Sequence, residues 1–188
     1  MRLQTLAALA LPALLGACVS VAANDYGDGG MSRAETGDFR EAVLRNTAGA
    51  TVGRAVLTQG ATGLLIRVEA SGLTPGWHGM HLHATGACTA PFTSAGAHIN
   101  HGEPRPHGLL NAAGPDDGDL PNLWVAADGK ASAEVFTSRA RLASEGPGQW
   151  LWDADGSALV IHANVDDHVS QPIGGAGDRV ACGVIDAR

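Results

Sequence analysis

Positive charge is scarce in this chain of 188 residues: 12 Lys and Arg stand against 19 Asp and Glu, for a formal net charge of -7. The basic stripe that a nucleic-acid partner needs is therefore excluded. An anionic small molecule is not, because a local positive patch focuses such a ligand even on a negative protein. Helical periodicity is missing as well: nowhere do apolar residues recur at helical spacing over three turns. A membrane-spanning run is missing too. The apolar stretch at residues 3–15 contains Gln4, Thr5 and Pro12 and is shorter than the roughly 20 residues that a spanning helix requires. Cysteine is limited to three residues, at positions 18, 88 and 182, so pairing any two leaves one over.

What is present suits short strands. Glycine is abundant, with 26 residues spread among Pro and Asp, which fits many turns between strands. Hydrophobic residues make up 45% and charged residues 16%, an ordinary globular balance for one domain with a full core, a leader and a short linker. Residues 1–17 read as an export signal, with Arg2 as its thin positive start. Two endings of that signal stand open. Leu15-Gly16-Ala17-Cys18 looks like a bacterial lipobox, in which cleavage precedes a Cys that takes a lipid and anchors the protein to a membrane; Val21-Ala22-Ala23 suits an ordinary signal peptidase. Residues 24–38 are polar, Gly-rich and aperiodic, the composition of a flexible linker, and residues 18–38 are read as that linker. Export would put the chain where disulfides persist, and with Cys18 set aside Cys88 and Cys182 remain, as a bridge or as two free thiols. A bridge there closes a loop of about 95 residues, worth roughly 4–5 kcal/mol in the chain-entropy model.

From residue 39 the texture changes. Short runs with β-branched residues at 42–44, 51–58 and 64–70 predict strands, followed by others at 79–84, 123–126, 131–137, 158–163 and 180–185. Asp128-Gly129, between the runs at 123–126 and 131–137, is a hairpin-turn signal. Two long stretches, 85–120 and 164–179, carry no periodicity; loops of that length are functional or disordered. The expected architecture is all-β: a sandwich or flattened barrel of about eight antiparallel strands carrying two long functional loops.

Histidine carries the chemical signal. Eight occur, at 78, 81, 83, 98, 101, 107, 162 and 168. His81-Leu82-His83 is the most telling group. On a strand, residues i and i+2 share a face, roughly 7 Å apart at Cα, so two imidazoles can converge on one metal while Leu82 enters the core. A lone H-x-H is weak evidence, but His162, closing the apolar run Leu159-Val160-Ile161, adds a third imidazole on a rigid element. Several imidazoles with no thiolate suit Cu(II) or Zn(II).

Gly79-Met80-His81-Leu82-His83, Cys88, Ser94-Ala95-Gly96-Ala97-His98, His107-Gly108, Gly118-Asp119-Leu120, His162 and Gly177-Asp178-Arg179-Val180-Ala181-Cys182-Gly183 occur in this order. Over residues 39–188 they resemble the copper,zinc superoxide dismutase family, its bacterial exported branch above all. The resemblance implies a Greek-key β-sandwich in the periplasm, with copper and zinc as cofactors and superoxide as substrate. It implies copper on His81, His83, His98 and His162, with His98 bridging to zinc. It implies His107 and Asp119 on zinc, Asp166 tying His81 to His107, Arg179 orienting the substrate anion, and a Cys88–Cys182 disulfide. In the implied reaction His98 takes a proton when copper is reduced and returns it to the departing peroxide. One departure is plain: where the family has a third zinc His, three residues before Asp119, this chain has Asp116. Carboxylate oxygen is an acceptable zinc ligand, so the expected site is His98, His107, Asp116 and Asp119; the competing reading is a weak or empty site with Asp116 as a solvated loop residue, and His101, in the same loop, is a conceivable substitute.

Each position also has a plainer reading. Arg179 could form a structural salt bridge with Asp178, and Asp166-Asp167 could be a polar turn. His78 reads as a surface or loop residue, and His101 and His168 as solvated loop residues. Trp124, Trp150 and Trp152 read as packing residues. The alternative function is a non-catalytic periplasmic copper- or zinc-binding protein on the same fold; a mere carrier, however, has no need of Arg179. On either reading the chain is a monomer or a homodimer.

Overall fold

The computed structural model describes residues 39–186. The expected leader, the linker and Cys18 lie outside the described residues. Within them the chain forms strands β1 (Phe39–Asn46), β2 (Thr51–Gln59), β3 (Leu64–Ala70), β4 (Gly76–His78), β5 (Met80–His83), β6 (Leu123–Val125), β7 (Ala131–Thr137), β8 (Ala140–Arg141), β9 (Gln149–Trp150), β10 (Ser157–His162) and β11 (Arg179–Ile185). Among the described residues the single helical element is a 3-10 turn at Thr93–Ala95.

Alternation builds the first three strands. Ala42 and Leu44, then Ala55 and Leu57, then Leu64, Ile66, Val68 and Ala70 face inward, while Glu41, Val43 and Leu65 face solvent. Fully burying a Leu or Ile in this way is worth about 1.5–3 kcal/mol. The main sheet has the order β5-β10-β11-β1-β2-β3-β7, with every neighbouring pair antiparallel. The sheet curls on itself, because Met80, Leu82, Leu159, Ile161, Ala181 and Ile185 join the same core as the inward residues of β1 to β3.

β10 departs from alternation, as β5 does, since all six of its residues are buried. Leu159 and Ile161 enter the main core. Ala158 and Val160 face the other way, into a second apolar cluster with Phe92, Ala95 and Cys182, against which Cys88 packs. The first long loop therefore lies over the outer face of β10 and is fastened there by the Cys88–Cys182 disulfide, with Cα atoms 5.7 Å apart.

The all-β expectation holds, with three differences. The short strands β4, β8 and β9 escape a reading based on runs of residues, and β8 pairs with β9 in parallel. The Asp128-Gly129 turn forms, with Ala126 N–H donating to Lys130 O at 2.8 Å. Its flanks then separate into different sheets, β6 onto β4 and β7 onto β3, because a two-residue turn signal says nothing about which edges are free to pair. Trp152 is buried and Trp150 partly so, but Trp124 is 52% exposed and packs on Trp77 across β4 and β6, ring centroids 5.0 Å apart.

Candidate metal centre

The pleat of β5 separates its side chains by function. Met80 and Leu82 fill the core, so His81 and His83 must point to the opposite face. Pairing with β10 sets His81 against Val160 and His83 against Ala158. His162 shares the parity of Ala158 and Val160 and so faces the same side. A register shift between Ile161 and His162 then brings Arg179, the first residue of β11, opposite His162.

The loop supplies the remaining groups along the free edge of β5. Leu82 N–H donates to Gly118 O at 2.9 Å, and Ile99 N–H donates to Leu82 O at 3.0 Å. Bridges pair His83 with His98 and His81 with Asp119. Gly118 permits this approach, for a Cβ there would sit 2.3 Å from Leu82 O.

Besides the set His81, His107, Asp119 and Asp166, two groups of ligand-type atoms result. One atom each from His81, His83, His98 and His162 lie within 4.8 Å of one another, as do one each from His98, His107, Asp116 and Asp119. His98 belongs to both. In the first group every imidazole has one nitrogen committed: His81 Nε2 donates to Asp166 Oδ2 at 2.8 Å, His83 Nδ1 to Gly96 O at 2.9 Å, His162 Nδ1 to Gly177 O at 3.0 Å and His98 Nδ1 to Asp116 Oδ2 at 2.9 Å. An acceptor oxygen requires a proton on the facing nitrogen, so in the neutral ring the other nitrogen carries a lone pair. Those others, His81 Nδ1 and the Nε2 atoms of His83, His98 and His162, are buried with no hydrogen-bond partner. Burial lowers the pKa of His81 to about 3, of His83 to about 2 and of His162 to about 4, so all three are neutral at pH 7 and able to bind a metal.

The second group is rich in carboxylate. Asp116 and Asp119 are 4% and 3% exposed. His107 Nδ1 and Asp119 Oδ1 approach to 2.5 Å as a buried ion pair that does not align as a hydrogen bond. Gly108 and Asp116 N–H groups donate to Asp119 Oδ2. Burial opposes protonation of His107, but Asp119 and Asp166 outweigh it and raise its pKa to about 10; burial likewise opposes protonation of His98, whose pKa Asp116 and Asp119 nonetheless raise. Asp119 and Asp166 are held well below the ordinary carboxylate range: burial pushes them up, but their imidazole partners prevail. Metal-free, this group stores protons where a divalent cation would replace them. Imidazole and carboxylate donors with unsatisfied buried atoms fit copper in the first group and zinc in the second.

Asp166 joins the groups, with Oδ2 on His81 and Oδ1 accepting from His107 Nε2 at 3.1 Å. Arg179 is fixed from two sides, donating to Phe92 O at 2.6 Å and Gly96 O at 2.7 Å; Gly96 O is also the acceptor for His83. Its anchors are carbonyls, not Asp178. A cavity of about 380 Å³ runs beside His98, lined by Arg105 and Arg179. A larger groove of about 780 Å³ around Arg54 and Glu69 has no imidazole in its lining.

Two expectations about histidines are overturned. His78 is neither on the surface nor in a loop: it closes β4, is 2% exposed, and sets its ring nitrogens 2.6 Å from His162 O and 2.7 Å from Thr74 O. His168 is not solvated, since its ring lies against Asn122 and Asp166. His101 is exposed and joins neither group. Sequence reasoning missed Asn122, which clamps the backbone of Asp166, and Gln171, which brackets the backbone of His107. Both act across more than 40 residues of chain, and no local pattern announces them.

The family model for copper/zinc superoxide dismutase matches residues 51–185. A protein of Caulobacter vibrioides named as Cu-Zn superoxide dismutase is 50% identical over 145 residues, covering 77% of this chain and 83% of the relative. One from Aquifex aeolicus is 42% identical over 147 residues, covering 77% and 84%. Among solved structures, a superoxide dismutase-like protein from Bacillus subtilis superposes with a TM-score of 0.74 at 36% identity, covering 79% of this chain and 99% of the other. The Cu/Zn superoxide dismutase of Brucella abortus gives 0.64 at 29% identity, covering 79% and 99%.

The placement of Asp116 against His98 makes a direct prediction. Asp116→Ala should weaken zinc binding by about 10-fold or more, the scale of loss seen when even outer contacts to a metal site are removed. Asp116→His should retain it. Competition with a chelating dye reads both; zinc held as tightly by Asp116→Ala as by the parent would remove Asp116 from the set.

Proposed function

The chain belongs to the copper/zinc superoxide dismutase family, and from that premise we propose that His81, His83, His98 and His162 hold copper while His98, His107, Asp116 and Asp119 hold zinc. The reaction is the disproportionation of two superoxide anions and two protons to oxygen and hydrogen peroxide, with copper and zinc as cofactors. The observation that carries the residue assignment is the set of four buried imidazole nitrogens without partners, all within 4.8 Å and adjacent to a guanidinium. Copper, when bound, supplies one-electron redox chemistry; the protein supplies position and charge.

Arg179 attracts the anion and sets its orientation. Its two carbonyl anchors hold the guanidinium in place, so an arriving anion meets a positioned charge. His98 handles a proton at Nε2, the nitrogen that faces the other three imidazoles, while its Nδ1, which faces Asp116 and Asp119, would be held by zinc in place of the proton it donates to Asp116 in the metal-free protein. Asp166 fixes the tautomers of His81 and His107 by accepting from the Nε2 of each. A carrier without turnover would need the imidazoles but not an anchored Arg beside them, which favours the enzyme.

Export completes the reading. Residues 1–17 act as the leader, Cys18 takes a lipid that anchors the mature protein to a membrane, and residues 18–38 tether the domain in the periplasm. The Cys88–Cys182 bridge supports an oxidising compartment.

Two outcomes follow. Arg179→Ala should keep its copper yet remove superoxide more slowly, and its rate should depend less steeply on salt than the parent's, because the attractive charge is local in a chain of net charge -7. Equal salt slopes in stopped-flow decay of superoxide would contradict steering by Arg179. Cys18→Ser should move the protein from the membrane fraction to the soluble periplasmic fraction; unchanged fractionation would contradict lipid attachment at Cys18.

A further inference from the structure

His168 belongs to neither ligand group, yet only 17% of its side chain is exposed and its Nδ1 is buried without a hydrogen-bond partner. Its surroundings decide where its proton sits. Asn122 Oδ1 accepts from Asp166 N–H at 2.9 Å, and Asn122 Nδ2 donates to Asp166 O at 2.8 Å. The Asn122 amide is thus oriented by main-chain groups, independently of any imidazole. The same Nδ2 lies 3.0 Å from His168 Nε2. An amide nitrogen only donates, so His168 Nε2 accepts and the ring proton of the neutral form is on Nδ1. That Nδ1 lies 3.4 Å from Asp166 Oδ2.

The main chain of His168 addresses the other oxygen: its N–H donates to Asp166 Oδ1 at 2.6 Å. One residue therefore meets both carboxylate oxygens, the same two that receive His81 and His107. The backbone is held for this task. His168 has φ 61, in the left-handed region that non-glycine residues seldom enter. Its carbonyl accepts from Leu110 N–H at 3.1 Å and lies where a Cβ on Gly108 would come within 2.2 Å. Opposite, Gly174 leaves the space that Asp166 occupies, since a Cβ there would fall 1.6 Å from Oδ1.

We propose that His168 is a positioning residue: its amide, by a hydrogen bond, and its imidazole, by a 3.4 Å polar contact, hold the Asp166 carboxylate in the one rotation that accepts from His81 and His107 together, so that the two ligand groups are oriented as a unit. The identity of the metals rests on the reading above; the positioning role does not. Two substitutions isolate the ring. His168→Gly deletes it while easing the left-handed backbone. His168→Asn keeps a residue tolerant of that conformation and a donor near the site of Nδ1.

The test is ¹⁵N-resolved NMR of the imidazole N–H groups of the metal-free protein, together with copper and zinc competition against a chelator. In the parent, the Nε2–H signals of His81 and His107 should be slow to exchange. In His168→Gly both should exchange faster, and affinity for both metals should fall by about 10-fold, the lower bound for lost outer contacts. His168→Asn should recover most of both losses. Unchanged exchange at His81 and His107 in His168→Gly would overturn the positioning role, whatever metals the parent binds. A parent that takes up neither copper nor zinc would overturn the metal reading alone.

Discussion

A buried polar atom left without a partner costs about 1–3 kcal/mol. Four imidazole nitrogens in that condition face one another in this protein, and only a cation repays them together. The opposite nitrogen of each ring is committed to an acceptor: Gly96 O, Gly177 O, Asp116 or Asp166. Those acceptors prevent the rings from flipping to satisfy themselves, so the remaining lone pairs stay aimed at one point.

The fold is arranged to make that commitment hold. β5 and β10 are rigid because their alternate residues fill the core, and the same pleat that buries Leu82 and Ile161 turns His81, His83 and His162 outward. Outward would mean solvent if the first long loop did not cover the face. Phe92, Ala95 and the Cys88–Cys182 bridge seat that loop on Ala158 and Val160. Phe92 and Gly96 then serve twice, since their carbonyls also anchor Arg179. Packing, covalent crosslink and substrate charge are therefore carried by one short segment.

Much of this is legible in the amino-acid sequence. The His81-Leu82-His83 spacing and the apolar run ending at His162 state a geometry, because strand parity is a strict rule. The all-β class and the two long loops were legible for the same reason. Strand count was not, since β4, β8 and β9 have only two or three residues and owe their existence to neighbours. Nor were the roles of His78, Asn122, Gln171 and His168. Each makes its decisive contact with a residue far along the chain or through a left-handed turn, and neither property leaves a periodic trace. His78 illustrates the point: beside Trp77 and Gly79 it looks like a loop residue, yet it closes an edge strand and sits under the His162 carbonyl.

The central claim is that His81, His83, His98 and His162 form one copper site that turns over superoxide. The most direct test is superoxide decay, followed by pulse radiolysis, with parent and His162→Ala protein each supplied with one equivalent of copper after zinc loading. The account predicts that the parent binds the copper and accelerates decay catalytically. It predicts that His162→Ala, with one lone pair removed from the set, loses most of both. Full copper retention and undiminished catalysis in His162→Ala would contradict it.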